Sequence, residues 1–405
     1  MNIHDIIFQQ QKDKDVFLGK DYVERDGIEN ARKSLNTGII KVITGPRRSG
    51  KSVFGFQLLK GKQFFYLNFD DENLLKVNNY DKFIDANNAI YKNNKNIFFD
   101  EIQNLEHWEI FVNKLHRRGY NLVLTGSNSR LLSGELASNL TGRYLTYTIL
   151  PFSFNEFLRA KKEADIREYF QTGGFPEVVV NNIDAHSYLQ TLFQSVLLKD
   201  IVKRYNLRSS QQLYDLSFYL INNIGVETSF NRIKEMLSLR SVYTVQKYVN
   251  YLVETFFFFV LNRFSFKVKE QIKSPKKIYL VDNGFIKTES VSLSPNTGKL
   301  LENLVFVELL RRGEKPNLDL FSYLTRNRRE VDFVVKKGVK VYKLIQVCYA
   351  LDAGNKKREI RALIEASSEL RCNDLFIITF DQEETFKIGD KTIQVIPLSK
   401  WLTDL

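Results

Sequence analysis

Short apolar runs that end in small or polar residues recur through the first third of the chain. Four of them have the length and the Ile, Val, Leu and Phe content of buried strands: 39–44, 64–69, 96–101 and 121–126. Residues 53–59 instead have helical apolar spacing. Strands that alternate with helices predict an α/β domain with a parallel sheet, over residues 1–150. In such sheets, ligands bind where the strands end at their carboxyl termini.

The residues that follow the first strand have the spacing of a phosphate-binding loop, Walker A. In chain order they are Gly45, Pro46, Arg47, Arg48, Ser49, Gly50, Lys51, Ser52 and Val53. The two glycines let the backbone turn its N–H groups inward, Lys51 reaches the β- and γ-phosphates, and the Ser52 hydroxyl can bind Mg²⁺. We therefore predict that this loop binds ATP and Mg²⁺.

Two carboxylates end the strand at 96–101, as in a Walker B motif. Asp100 is the predicted second magnesium residue, and Glu101 is the predicted base that polarises the attacking water. The strand at 121–126 ends in Gly126, Ser127, Asn128 and Ser129. Ser127 or Asn128 is placed to contact the γ-phosphate or the water, although these residue types are also ordinary turn formers.

Arg143, in the run Thr141 to Tyr144, is a candidate arginine finger, acting in its own subunit or on a neighbour in a homo-oligomer. The alternative is a solvated arginine without a catalytic role.

Residues 151–285 contain helical patterns and then an order typical of a winged helix. A short helix at 231–237 and a turn at 238–241 precede a longer helix at 242–254, and strand-like runs at 256–264 and 277–281 follow. Duplex DNA is a candidate partner. The residues expected to face a groove are Ser241, Tyr243, Thr244, Gln246 and Lys247, and those expected to contact phosphate are Arg263, Lys267, Lys269, Lys273, Lys276 and Lys277. A plain packing module is the alternative.

The last region, 286–405, again alternates helix and strand. Glu302 and Glu308 on a helix and Asp332 on a strand resemble the acidic layout of a metal-dependent nuclease. The pair that should complete the layout is altered, because Gln346 replaces a carboxylate and Cys348 replaces a lysine. We expect a degenerate centre that binds rather than cuts. A second basic cluster comprises Arg326, Arg328 and Arg329.

Composition fits a globular, cytoplasmic protein of several domains. The 405 residues are 43% hydrophobic and 26% charged, and the net charge of +12 permits nucleic-acid contact without requiring it. No apolar run approaches the length of about 20 residues that a membrane helix needs, so no membrane partner is expected. The two cysteines, Cys348 and Cys372, sit in apolar segments and are expected to be reduced core thiols.

In this order, the motifs at 45–52, 96–101, 124–129 and 140–143 resemble those of a prokaryotic AAA+ ATPase family that carries a C-terminal domain of unknown function. Further matching segments are 173–177, 199–201, 279–284 and 330–333. The resemblance implies a P-loop ATPase domain, a winged-helix region and a restriction-endonuclease-like C-terminal fold. We predict from the motifs a nucleotide-driven switch or remodeller acting on DNA or a protein. The alternative is an ATP-regulated DNA-binding protein or nuclease.

Overall fold

The computed structural model describes residues 3–128, 140, 142–207, 210–289 and 296–403. Contacts divide the chain into two units: unit 1 is Met1–Phe152 with Glu254–Phe256, and unit 2 is Ser153–Val253 with Phe257–Leu405. Residues of both predicted C-terminal domains, 151–285 and 286–405, contribute to unit 2, and the boundary near 285 stays a prediction. Ser129 and Thr141 of the sequence motifs lie outside the described residues.

Unit 1 is built on a parallel five-stranded sheet. Its strands are β1 (Ile40–Thr44), β2 (Phe65–Asn68), β3 (Asn96–Asp100), β4 (Asn121–Gly126) and β5 (Tyr144–Thr148). Their order across the sheet is β2, β3, β4, β1, β5, and every neighbouring pair is parallel. All the strands therefore end at one edge, which brings the residues after β1, β3 and β4 together.

Helices accompany this sheet, and both sheet faces are buried. They are α1 (Ile3–Leu18), α2 (Ile28–Lys33), α3 (Lys51–Leu58), α4 (Glu72–Leu75), α5 (Asp81–Ile90) and α6 (Trp108–Arg117). Alternation along β3 places Phe98 in one apolar cluster and Ile97 and Phe99 in the other. Gly55 allows α3 to lie close to β3, because a Cβ there would come within 2.3 Å of the Phe98 ring.

The outer strand β2 is hydrogen-bonded by side chains of α1. The Gln11 side chain donates to the Tyr66 carbonyl at 2.7 Å and accepts from its N–H at 3.2 Å. Gln10 does the same for Asn68, at 3.2 and 2.8 Å. An open strand edge invites pairing with another chain. The two glutamines instead satisfy four backbone groups of β2 within unit 1.

Unit 2 begins with helices, as its sequence predicts. They are α7 (Phe154–Ala160), α8 (Ile166–Thr172), α9 (Pro176–Asn181), α10 (Ala185–Ser195), a π-helical segment (Val196–Lys203), α11 (Ser210–Asn222), α12 (Phe230–Met236) and α13 (Val242–Glu254). The π-helical segment continues directly from α10. Next come β6 (Phe258–Asn262), α14 (Val268–Lys273) and β7 (Lys276–Leu280). The two strands pair antiparallel, and the short helix α14 lies between them in the chain.

The end of the chain forms a mixed six-stranded sheet. Its elements are α15 (Asn283–Glu289), α16 (Thr297–Arg311), β8 (Leu320–Leu324), β9 (Glu330–Lys337), β10 (Lys340–Val347), α17 (Lys356–Leu370), β11 (Leu375–Thr379), β12 (Glu384–Ile388), β13 (Lys391–Pro397) and α18 (Leu398–Thr403). The order is β12, β13, β11, β10, β9, β8. Strands β10, β11 and β13 are parallel, and the other pairs are antiparallel. The sheet core includes Val331, Leu344 and Ile377.

In unit 2, the sequence motifs at 173–177 and 279–284, which the ATPase chemistry does not use, contact each other through hydrogen bonds. Asp282 accepts hydrogen bonds from the Gly174 N–H at 2.7 Å and the Gly284 N–H at 2.8 Å. Gly173 has φ of 75°, and a Cβ there would lie 1.8 Å from the Asp282 carboxylate. This geometry assigns the segments 173–177 and 279–284 a structural role.

Candidate nucleotide site

The loop between β1 and α3 has the backbone of a phosphate cradle. Gly45, Arg48 and Gly50 have φ of 139°, 66° and 93°, so the loop turns repeatedly through conformations that glycine favours. Lys51 is 5% exposed, and its Nζ donates to the Pro46 carbonyl at 3.0 Å. The same ammonium lies 3.5 Å from Glu101 Oε1. The loop and the end of β3 therefore meet at Lys51.

Asp100 is buried at the end of β3 and receives three side-chain hydrogen bonds. Ser52 donates to Oδ1 at 3.0 Å, Thr125 donates to the same oxygen, and Tyr66 donates to Oδ2 at 3.0 Å. Burial, followed by the adjacent charge of Glu101, raises the pKa of Asp100 to about 6. A cation bound nearby would therefore stabilise the ionised form of Asp100.

Glu101 is held in one position by neighbouring side chains. Ser127 donates to its Oε2 at 3.0 Å, and Gln103 donates to the same oxygen at 2.6 Å. Its N–H donates to Thr125 Oγ1 at 2.9 Å. Burial would raise the pKa of Glu101, but Lys51 and the two donors outweigh it and keep the pKa below its usual value. An ionised carboxylate is the form that a base requires.

The donor set fits a magnesium nucleotide. Ser52 and Asp100 bring a hydroxyl and a carboxylate oxygen within 3.0 Å of each other, and oxygen ligands of this type are those that Mg²⁺ prefers. Lys51 and the glycine-rich backbone supply positive groups for phosphate. Ser49 Oγ is buried and has no hydrogen-bond partner within the described part of the chain.

Sequence reasoning does not identify Tyr66, Thr125 and Gln103 as site residues. Tyr66 is the polar position in an apolar strand, and the register pairs Asn68 with Asp100, which places Tyr66 two residues before that pair. The strand order places β2 on one side of β3 and β4 on the other, and this order brings Tyr66 and Thr125 to Asp100. Asn128 is buried just after β4, next to Ser127.

Arg143 lies away from this edge. It precedes β5, and its carbonyl accepts from the Ile40 N–H at 2.9 Å, so it stands where β1 begins rather than where β1 ends. Its guanidinium donates to Asn113 Oδ1 at 3.0 Å. Five residues of strand separate it from the phosphate loop, roughly 16 Å at 3.3 Å per residue. The guanidinium therefore faces Asn113 rather than the phosphate loop, and a role of Arg143 as an arginine finger stays a prediction.

Known proteins give the family of the chain. A family model described as an AAA domain matches residues 37–158, and two models described as domains of unknown function match 163–292 and 297–401. An uncharacterized protein of Methanocaldococcus jannaschii is 37% identical, over 93% of this chain and 93% of that protein. The chain belongs to the same family. An uncharacterized protein of Haemophilus influenzae is 33% identical, over 78% of this chain and 84% of that protein.

Residues 37–158, which match the AAA domain model, contain the loop, both carboxylates and Ser127. This part of the chain is an AAA domain. Among solved structures, a Walker-type ATPase of Pyrococcus abyssi is 13% identical, with a TM-score of 0.46 over 66% of this chain and 96% of that chain. DnaA of Aquifex aeolicus bound to AMPPCP is 13% identical, with a TM-score of 0.29 over 57% of this chain and 90% of that chain.

The acidic residues predicted in unit 2 surround a lysine. Lys277 is fully buried and donates to Glu302 Oε1 at 2.8 Å and to Asp332 Oδ1 at 3.0 Å, and it also pairs with Glu330. Burial, followed by the charge of Glu302, raises the pKa of Asp332 to about 7. Burial would lower the pKa of Lys277, but the carboxylates raise it well above its usual value. We call these four residues the acidic centre.

Glu308 and Gln346 differ in their position relative to the acidic centre. Glu308 pairs with Arg311 and Arg312, and it does not line the cavity of about 790 Å³ beside the acidic centre. Gln346 does line that cavity, and its amide donates to Glu359 Oε2 at 2.6 Å.

Cys348 also lines the cavity. Burial, followed by the charges of Glu359 and Asp332, raises the pKa of its thiol to about 12. The thiol therefore stays protonated and cannot take the part of the missing lysine.

The prediction of a phosphate contact is wrong for Lys277, which is buried. Arg263 is paired with Glu227, and Lys276 donates to the carbonyls of Gln271 and Ile272, so contacts of these two residues with phosphate stay predictions. The other three, Lys267, Lys269 and Lys273, are exposed on or next to α14.

No helix in the described parts of the chain has the length and apolar content to cross a membrane.

Proposed function

We propose that the protein is a Mg²⁺-dependent ATPase whose nucleotide cycle switches its binding to a partner. The observation that carries the proposal is the hydrogen bond of 3.0 Å from the Ser52 hydroxyl to Asp100 Oδ1. Lys51 and Glu101, the next residues in the chain on either side, lie 3.5 Å apart. Phosphoryl transfer needs mostly positioning and charge stabilisation, and these four residues supply both.

Each residue then has a distinct task. Ser52 and Asp100 would hold the magnesium ion, which would supply positive charge to the phosphate oxygens when bound. Lys51 exchanges the Pro46 carbonyl for phosphate oxygens. Glu101 accepts a proton from the attacking water, while Ser127 and Gln103 keep its carboxylate in place. The water oxygen forms a bond to the γ-phosphorus as the bond from that phosphorus to the β–γ bridging oxygen breaks, which gives ADP and inorganic phosphate while Glu101 takes the proton of the water.

Binding and turnover of ATP test the proposal together. The wild-type chain should bind ATP with Mg²⁺ and release phosphate, and Lys51→Ala should lose tight binding because the ammonium that reaches the β- and γ-phosphates is removed. Lys60→Ala is the matched control, since Lys60 is exposed just past the end of α3 and should leave binding unchanged. Equal ATP affinity in Lys51→Ala and Lys60→Ala would count against the assignment.

Duplex DNA is the partner that one observation favours. Lys267, Lys269 and Lys273 stand exposed on or next to α14, between the strands that follow the helix pair α12 and α13, and Glu270 is the only acidic residue in that segment. A helix pair followed by a two-stranded wing is the order of a winged helix, in which a wing contacts phosphate. We infer that any DNA affinity comes from these three lysines.

Salt dependence tests the DNA proposal. With a labelled duplex, replacing all three lysines by Ala should reduce the log–log salt slope by about 0.9 for each phosphate that the protein no longer neutralises. The triple control Lys356→Ala, Lys387→Ala and Lys400→Ala removes the same charge elsewhere in unit 2. If the two triple variants showed the same dependence of DNA affinity on salt, the proposal that the lysines of α14 contact DNA would be wrong. Stimulation of ATP turnover by the duplex would link the two activities.

Nuclease activity, the alternative function, is not favoured. The buried ammonium of Lys277 already neutralises Glu302 and Asp332, and Gln346 and Cys348 supply neither a charged ligand nor an amine. Supercoiled DNA incubated with the protein, Mg²⁺ or Mn²⁺ and ATP should therefore stay intact. Nicking that disappears in Asp332→Ala would restore the nuclease hypothesis.

A further inference from the structure

A buried arginine ties the phosphate loop to the end of unit 1. Arg25 lies between α1 and α2 and is 5% exposed. One guanidinium nitrogen donates to the Ser49 carbonyl at 2.6 Å, and the other donates to the Leu150 carbonyl at 2.6 Å. The guanidinium carbon of Arg25 lies 5.2 Å from the centre of the Phe152 ring. One side chain therefore joins the loop to residues 149–152, which we call the exit segment.

A second contact joins the same two segments without Arg25. Gly45 begins the loop, and a Cβ at this position would lie 2.1 Å from the Ile149 carbonyl oxygen. The Ile149 N–H also donates to the Thr44 carbonyl at 2.7 Å. The exit segment thus touches the loop at its start through Gly45 and, by way of Arg25, near its end through Ser49. A movement of the loop therefore requires the exit segment to adjust.

The position of Arg25 is fixed by α3. Its N–H donates to Gln57 Oε1 at 3.3 Å, and the Gln57 amide donates to the Val23 carbonyl at 2.9 Å. Gln57 lies on the helix that the loop opens into. Because a planar guanidinium presents its donors in a rigid fork, its two hydrogen bonds set the spacing between the Ser49 and Leu150 carbonyls.

We propose that Arg25 is a positioning residue of the ATPase, through which nucleotide in the loop and the conformation of the exit segment depend on each other. It acts through Ser49, whose peptide belongs to the cradle. Phosphate contacts made by the cradle are present both in the bound state and during hydrolysis. Loss of Arg25 therefore weakens binding of the substrate and of the transition state equally, which raises KM and leaves kcat nearly unchanged.

This proposal rests on the proposed ATPase function, and the experiment separates the two. Steady-state ATP hydrolysis is measured with Mg²⁺ in the full chain. Arg25→Ala should raise KM by about tenfold or more, since two charge-assisted hydrogen bonds are removed, and should keep kcat within about twofold. Arg25→Lys retains a cation and one donor, and it should give an intermediate KM.

The matched control is Arg32→Ala. Arg32 also donates to a carbonyl of α3, that of Gln57 at 3.1 Å, but it does not contact the loop. Its KM should equal that of the wild type. Equal KM values in Arg25→Ala and Arg32→Ala would overturn the proposal. A loss of thermal stability and kcat in Arg25→Ala without a rise in KM would overturn it too, because that is the signature of a merely structural residue.

Hydrogen exchange in the wild-type chain keeps the proposal testable if Arg25→Ala does not fold. A peptide that covers 149–152 should change its exchange rate when ATP and Mg²⁺ are added. No change there, while a peptide covering 45–52 becomes protected, would overturn the link between loop and exit segment. If the wild type neither binds nor hydrolyses ATP, the proposed function fails and this inference fails with it.

Discussion

Lys277 and Glu302 form an ion pair of 2.8 Å in the interior of unit 2, where their side chains are 0% and 3% exposed. The Tyr279 hydroxyl also donates to Glu302, at 2.7 Å, and Lys299 pairs with its other oxygen at 2.6 Å. The charges of Lys277 and Glu302 are therefore satisfied by protein groups. The arrangement places two buried carboxylates, those of Glu302 and Asp332, around the ammonium of Lys277, with the partly exposed Glu330 beside it.

The first prediction is that Lys277→Met destabilises unit 2 by about 3–5 kcal/mol, because removing one partner leaves buried carboxylates unpaired. Urea unfolding can be followed by Trp401, which is the only tryptophan of unit 2, in a Trp108→Phe background. Lys269→Met is the control, since that side chain is exposed. Adding Glu302→Gln to Lys277→Met should recover part of the loss. A Lys277→Met protein as stable as the control would contradict the account of the acidic centre.

The second prediction concerns pH and Asp282. Burial raises the pKa of this carboxyl from 3.8 to about 6, against the two N–H donors that lower it. The folded state thus binds a proton more tightly than the unfolded state. Stability from this group is present below about pH 4 and is lost as pH rises to about 6, by about 3 kcal/mol. Asp282→Asn cannot titrate, so its unfolding free energy should fall less over this range.

The same Trp401 signal measures this effect. Asp390→Asn, which changes an exposed carboxyl, serves as the control. In Asp282→Asn, the fall of the unfolding free energy with rising pH should be smaller than in the wild type. It should not vanish, since Asp332 in unit 2 also has a raised pKa. A slope equal to that of Asp390→Asn would assign the dependence to other groups.

The third prediction is that Arg143 acts on a neighbouring subunit. Turnover per molecule should then rise with protein concentration, and mixing inactive Glu101→Gln with inactive Arg143→Ala should restore activity. Arg117→Ala removes an exposed arginine of α6, the helix that carries Asn113, and should have no effect. A monomeric mass with ATP, together with failure of the mixture to regain activity, would leave Arg143 as a solvated residue bound to Asn113.

The parts of the site that sequence predicts are those set by local spacing. The loop at 45–52 and the carboxylates at 100 and 101 lie where the motifs place them, because strand, turn and helix signals are contiguous in the chain. The sequence does not predict β5, since Tyr144–Thr148 is partly exposed and lacks a buried-strand pattern. Its position beside β1 depends on pairing between residues about a hundred positions apart.

Contacts between distant segments account for the remaining differences. The sequence predicts Lys277 as a surface cation because it lies among other lysines, but strand alternation in β7 turns it toward Glu302 and Asp332. Tyr66 and Arg25 meet Asp100 and Ser49 only after the sheet and the loop have formed. No local pattern identifies such partners, because each needs the order of strands across the sheet or the path of the chain.

The most direct test of the central claim is the behaviour of Glu101→Gln. The substitution keeps the shape of the side chain and the phosphate cradle, but it removes the carboxylate that accepts a proton from water. ATP affinity measured with Mg²⁺ should stay close to that of the wild type, and turnover should fall on the order of 10²-fold or more. Hydrolysis at the wild-type rate by Glu101→Gln would contradict the assignment of this site as the ATPase centre.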